Sequence, residues 1–123
     1  MAINTAKIQA ALHNFVSGTG DIQGAALVTP DGLPLLTVLP KPMDEERIAA
    51  MSAALLSLGE RISSDLARGN IESITIDGAE GYCVLTSCST EVMLLVLAAR
   101  SVKKGILNLE IKHTVQQIKP LLD

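Results

Sequence analysis

The chain has 123 residues, 48% hydrophobic and 19% charged. That composition excludes a disordered polymer and fits one domain, read here as residues 1–123. Ten basic residues against thirteen acidic ones give a net charge of −3, so the overall balance carries no footprint for nucleic acid. One Phe, one Tyr and no Trp also remove the stacking platforms used for single-stranded nucleic acid. The amphipathic N-terminal stretch lacks a basic region before an apolar core, so no secretory signal is expected. The longest apolar run, Val92–Ala99, is too short to cross a bilayer. Cys83 and Cys88 form no Cys-x-x-Cys pair, and the sequence reads as a cytoplasmic protein with reduced thiols.

A first helix is predicted from about Thr5 to Val16, with Ile8, Leu12, Phe15 and Val16 on one face. Asn4 or Thr5 can cap it, and Gly18 and Gly20 end it. Two apolar runs, about Gly24–Thr29 and Leu33–Leu39, flank Pro30-Asp31-Gly32 and read as a hairpin. Pro34 cannot donate to a ladder, which puts the second strand at a sheet edge. A long helix then runs from a cap at Asp44 to Arg68, roughly 37 Å at 1.5 Å per residue, with Gly69-Asn70 as its stop. The alternating stretch Ile71–Asp77, then Gly81–Ser87 and Glu91–Ala99, read as three more strands. The last is apolar on both sides, which requires a covered sheet on both faces. A final helix, about Lys104–Lys119, carries Leu107, Ile111, Val115, Ile118 and Leu122 on one stripe. The order αββαβββα specifies an α+β fold: a five-stranded antiparallel sheet with helices on both faces.

No group of side chains has the spacing of a catalytic or metal site. His13 and His113 lie far apart, and a zinc site needs about three or four convergent ligands. The Gly18–Gly24 stretch precedes a strand, whereas a phosphate cradle sits between a strand and a following helix. Asp44, Glu45 and Glu46 are explained by helix capping. Lys103 and Lys104 oppose the dipole of the last helix unless an acidic partner sits nearby. Nothing in the sequence requires a cofactor. Cys83 reads as a small core residue. Cys88, near a turn, has no cationic neighbour in sequence to make it reactive.

The long helix carries more apolar surface than one stripe. Ile48, Met51, Leu55, Leu58, Ile62 and Leu66 are expected to cover the sheet. A second stripe, Ala49, Ser52, Ala53, Leu56, Gly59, Glu60 and Ser63, is mostly small. Small residues permit close helix–helix approach. That stripe is expected to meet the same helix of a second copy. The strand holding Ser73, Thr75 and Asp77 is expected at the sheet edge, with no internal proline or lysine to block pairing. Ala49, Ser52, Ala53, Leu56, Gly59, Ser63, Ser73, Thr75 and Asp77 are therefore the expected dimer contacts.

The Val28–Leu35 hairpin "VTPDGLPL", the alanine-rich long helix and the closing "KKGILNLEIKHTVQQI" together resemble the Roadblock/dynein light chain family. The likeness is greatest to its small bacterial and archaeal members of the MglB type, which regulate Ras-like GTPases. It covers about Ala6 to Ile118, and Asp31-Gly32 and Gly105 match best. The resemblance implies a homodimer or paralogue heterodimer, paired through the third strand and the long helix. It also implies a platform, here expected around Glu46, Leu56 and Glu60, that binds a small Ras-like GTPase. Stimulation of GTP hydrolysis without an arginine finger is the implied activity, with no catalytic site in the chain itself. Arg61 and Arg68 are expected to pair with Asp65 on the helix surface. The alternative is a structural adaptor in a motor, polarity or signalling assembly, indifferent to nucleotide.

Overall fold

The computed structural model describes residues 4–18 and 20–122; Thr19 of the glycine-rich connector lies outside them. The first helix, α1, is Thr5–Ser17. The Asn4 side chain accepts from the Lys7 N–H at 3.3 Å and caps it. Ile8 and Leu12, one turn apart, are its buried residues. Strands β1 (Ile22–Val28) and β2 (Pro34–Val38) form the hairpin. Its turn is held by Gly32 N–H to Thr29 O at 3.0 Å and Thr29 N–H to Leu33 O at 2.9 Å. Gly32 supplies the positive φ, +95°.

The long helix, α2, is Glu45–Asp65. The Asp44 carboxylate accepts from the N–H groups of Glu46 at 3.0 Å and Arg47 at 3.3 Å, and Glu45 and Glu46 add negative charge in the first turn. Strands β3 (Ser73–Gly78), β4 (Gly81–Ser87) and β5 (Met93–Ala99) follow, then α3 (Lys104–Ile118) and a 3₁₀ turn, Lys119–Leu122.

The strand order is β2-β1-β5-β4-β3, and every neighbouring pair is antiparallel. The most hydrophobic strand, β5, is therefore central, and β2 and β3 are the two edges. Side chains alternate across β5. Leu94, Val96 and Ala98 join a core with Ile8 and Leu12 of α1 and with Leu107, Ile111 and Ile118 of α3. Met93 and Leu95 join the opposite core, with Ala26, Val28 and Leu85, beneath Ala49, Ile48, Leu55 and Leu56 of α2. The sheet thus has two helices on one face and one on the other. Among the described residues no helix is long and apolar enough to cross a membrane.

The end of α2 differs from the sequence-based expectation. The helix stops at Asp65, and Ala67 rather than Gly69 makes the left-handed exit, with φ +57°. The N–H of Ala67 reaches Ser64 O at 3.0 Å and that of Arg68 reaches Ser63 O at 2.7 Å. This is the paired C-terminal motif that usually employs glycine, because a Cβ is strained in the left-handed region. Replacing Ala67 with Gly is expected to raise stability by about 0.5–1 kcal/mol. The check is a urea titration: a higher midpoint at unchanged slope is the expected result, and a lower midpoint contradicts the strain argument.

Candidate functional site

The long helix lies on its sheet by its small residues. Ala49 is 0% exposed and Ser52 5%. The Ser52 hydroxyl donates to Ile48 O at 2.8 Å, so its polar atom is satisfied inside the helix. At the N-terminal half, α2 passes the hairpin turn so closely that a Cβ on Gly32 would lie 3.5 Å from Ala50 Cα and 3.7 Å from Ala53 Cβ. At the C-terminal half, a Cβ on Gly59 would come within 2.7 Å of Ile74 Cδ1 and 2.9 Å of Ile71 Cδ1. Ala53, Leu56 and Ser63 are half-buried on the same side.

The burial of the two stripes is therefore the reverse of that expected. The small stripe expected to meet a second copy faces the chain's own sheet. The large stripe expected to cover the sheet projects from it: Met51 is 55% exposed, Leu58 59%, Ile62 49% and Leu66 61%. The physical reason is space. Strands β3, β4 and β5 already send Ile74, Leu85, Met93 and Leu95 toward α2, so the helix approaches only if its inner side chains are short. Leu55 and Ile48, at the margin of the large stripe, are the members that pack on this core.

The exposed flank is continuous with the sheet edge. Leu55, Leu58, Ile62 and Leu66 on α2 and Ile71 and Ile74 below them line a groove of about 450 Å³. Ile76, on the same face of β3 as Ile74, is half exposed. Among the described residues only β4 pairs with β3, leaving the strand's outer edge open, and neither proline nor lysine interrupts it. Ile76 and the α2 flank are the residues that sequence reasoning missed. The available signal was the large size of the strand residues beneath the helix, which leaves no room for a second large layer.

The other expected contacts fall as follows. Ser73, Thr75 and Asp77 are exposed on the edge strand, where alternation turns them to the α3 side of the sheet. Glu46 and Glu60 are exposed on α2, and Leu56 is half-buried. Arg47, Arg61 and Arg68 are exposed. The expected pairing of Asp65 with Arg61 and Arg68 is absent: among the described residues the ion pairs are Arg100–Asp77 and Lys104–Asp77, and Arg68 Nε donates instead to Leu66 O at 3.0 Å.

Asp77 is an acidic partner for Lys104 at the start of α3. Lys104 Nζ lies 3.1 Å from its carboxylate, and Arg100 binds the other carboxylate oxygen. Both cations sit over the Tyr82 ring, at 5.1 Å for Arg100 and 5.3 Å for Lys104. The hydrogen bonds from Lys104 and then Arg100 hold the Asp77 carboxyl below its ordinary range. Cys88 is buried, and burial pushes its thiol up to about 12, which makes it a core residue and no nucleophile. His13 is exposed on α1, and His113 Nε2 lies 3.2 Å from Gln117 Nε2 within α3.

This geometry coincides with a family match. Residues 8–98 match the Roadblock/LC7 domain. The chain belongs to the Roadblock/LC7 family. Two proteins of Methanocaldococcus jannaschii are each 29% identical over 103 residues, covering 84% of this chain and 90% of their own. Among solved structures, Myxococcus xanthus MglB superposes with a TM-score of 0.88 at 16% identity, covering 96% of each chain. A Roadblock/LC7 domain from Streptomyces avermitilis gives 0.83 at 20% identity, covering 91% of this chain and 94% of its own. These structural likenesses establish the Roadblock-like fold.

The charge cluster sets a pH dependence. A depressed folded-state pKa means that Asp77 contributes stability above its unfolded value, near pH 3.9, and loses it as pH falls through the lower folded value. The stability difference between the native chain and Asp77→Asn is expected to be full at about pH 7 and to shrink below about pH 4. Because the carboxylate is exposed, high salt should shrink it as well. Thermal unfolding of both proteins across that range is the check; a difference that grows in acid contradicts the assignment.

Proposed function

We propose that the chain acts as a dimeric binding platform that regulates a small Ras-like GTPase. The observation that carries the dimer is the apolar flank of α2 running without interruption into an open strand edge. Edge pairing of β3 with β3 of a second copy adds main-chain hydrogen bonds. It also brings Ile74 and Ile76 of both copies beneath paired α2 flanks, covering Leu58 and Ile62. Self-association as such is supported by a structural neighbour, an MglB in a tetrameric arrangement, with a TM-score of 0.85. The contacts of the pairing are then Leu58, Ile62, Leu66 and Ile76, with Ser73, Thr75 and Asp77 along the paired edge. The small stripe acts behind them by setting how far the flank projects.

The GTPase reading rests on the chain-wide likeness to MglB-type members. Once the flanks are paired, the solvent sides of two α2 helices form one surface that carries Glu46 and Glu60 from each copy. The arginines Arg47 and Arg61 are exposed on the same helix, so the claim that hydrolysis is stimulated without an arginine finger has a direct test.

Leu58→Arg places a charge on the flank at a position exposed in the single chain, so it should leave the fold intact. Sedimentation is expected to show a dimer for the native chain and a monomer for Leu58→Arg, with unchanged circular dichroism; a native monomer at micromolar concentration would sink the pairing. Gly59→Arg is unsuitable for this purpose, because the new side chain collides with Ile71 and Ile74.

For the function, GTPases captured from the source cell's lysate are compared in GDP and in a non-hydrolysable GTP analogue. A small GTPase enriched only with the analogue is expected, and its hydrolysis should be accelerated equally by the native chain and by Arg47→Ala/Arg61→Ala. Equal retention in both nucleotides identifies an adaptor instead, and capture of no GTPase contradicts the proposal.

A further inference from the structure

The face of the sheet opposite α2 is not evenly covered. Helices α1 and α3 pack together over β1 and β5. Beyond α3 the sheet continues to β4, whose Tyr82 and Val84 are still buried in the core beneath α1 and α3, and then to β3 at the edge, whose Ser73, Thr75 and Asp77 are exposed on the α3 side. The result is a groove of about 710 Å³ with α3 as one wall and the α3-side face of β3 and β4 as its floor. Ser73 and Thr86 are directly paired on that floor.

The wall is patterned. Lys104, Asn108, Lys112, Gln116 and Lys119 recur at intervals of three and four, so they form one polar stripe along α3 and its terminal turn. Asn108, Lys112, Gln116 and Lys119 line the groove, and Lys104 reaches β3 through its contact with Asp77. The opposite flank of α3 is different: it presents Glu110, His113 and Gln117 toward α1. Outside the groove's lining, Asp77 is shared by two cations, Lys104 and Arg100, so the Lys104 end of the α3 stripe retains positive charge. Among the described residues that line the groove, Lys112 and Lys119 stand against one carboxylate, Glu72. The groove is thus positive on a chain whose net charge is −3.

We propose that this groove binds an acidic segment of a partner polypeptide, separately from the α2 platform on the other face. The occupant must be elongated, because the lysines are too far apart for one small anion. Lys104 and Lys112 are separated by about 12 Å along the helix, and Lys112 and Lys119 by about 10 Å. An extended chain advancing about 3.3 Å per residue matches these intervals with an acidic residue every three or four positions. The hydroxyls and amides of Ser73, Asn108 and Gln116 can then pair with its main chain. A peptide also fits the shape: the floor lies behind a helix, where a flat bilayer surface does not reach.

The probe is a fluorescent twelve-residue peptide with Glu at every fourth position in a Ser/Gly background, and the same peptide with Gln in place of Glu. Saturable binding of the Glu peptide alone is expected, weakening as salt rises. Lys112→Glu/Lys119→Glu should weaken it about tenfold or more, whereas Lys7→Glu/Lys41→Glu, an equal charge change elsewhere, should alter it by less than about twofold. Circular dichroism and sedimentation confirm that both variants keep the fold and association state of the native chain; if the groove variant loses either, Lys112→Gln/Lys119→Gln replaces it, with the same expected weakening. Equal losses in the two charge variants, equal binding of the Gln peptide, or no saturation up to about 1 mM would overturn the proposal. So would binding to phosphatidylserine vesicles, lost in the groove variant, with no peptide binding. Leu58→Arg should bind the Glu peptide as the native chain does, so failure of the pairing leaves this site intact.

Discussion

The distance between α2 and its sheet governs the rest of this molecule. A helix can settle onto large strand side chains only if its own inner surface is short, and Ala49, Ser52, Ala53 and Gly59 provide that surface. The helix gives up some intrinsic propensity for it, since glycine costs a helix interior about 1 kcal/mol relative to alanine. In exchange, its backbone comes down onto Ile71 and Ile74. Each buried large side chain of the lower layer, such as Leu85 or Leu95, then contributes roughly 1.5–3 kcal/mol of apolar burial.

Because the inner face is small, the apolar residues of α2 that fit nowhere beneath it lie on its flank. The same asymmetry recurs on the other side of the sheet, where two helices cover β1, β5 and β4 and leave the β3 edge exposed. The margin of the sheet is therefore where both candidate surfaces meet: an apolar one on the α2 side and a positively charged one on the α3 side. Strand β3 separates them by side-chain alternation alone, sending Ile74 and Ile76 one way and Ser73, Thr75 and Asp77 the other. A protein of this size can hold two chemically opposite surfaces within a few ångströms because a sheet is only one residue thick.

The element order, the β1–β2 hairpin, the β3–β4–β5 meander and both edges were legible in the sequence; the pairing of β1 with β5, which joins the two and makes β5 central, was not. Periodicity at Ile8 and Leu12, the Pro30-Asp31-Gly32 turn and the cap at Asp44 are local signals, and an apolar run such as Met93–Ala99 requires cover on both faces of its sheet. The rotation of α2 was not legible. Both of its stripes qualify as core-facing by pattern, and the choice depends on the volumes of residues on other elements, Ile74 on β3, Leu85 on β4 and Met93 and Leu95 on β5. The helix end was misplaced for a related reason. Gly69 is the stronger local stop, yet Ala67 takes the left-handed turn so that the carbonyls of Ser63 and Ser64 are satisfied. Nor did sequence place Asp77 beside Lys104 and Arg100, since that contact joins β3 to α3 and to the connection that precedes it.

The division of α2 into an inner and an outer face separates two kinds of evolutionary constraint. Enlarging an inner residue perturbs the protomer itself, so that face is held by folding. Exchanging one apolar residue for another on the flank alters only what the protomer fits against. With the flank pairing as proposed, a second copy arising by gene duplication can drift in its choice of mate while its own fold stays intact, and a set of mutually selective paralogues becomes accessible through a handful of flank positions.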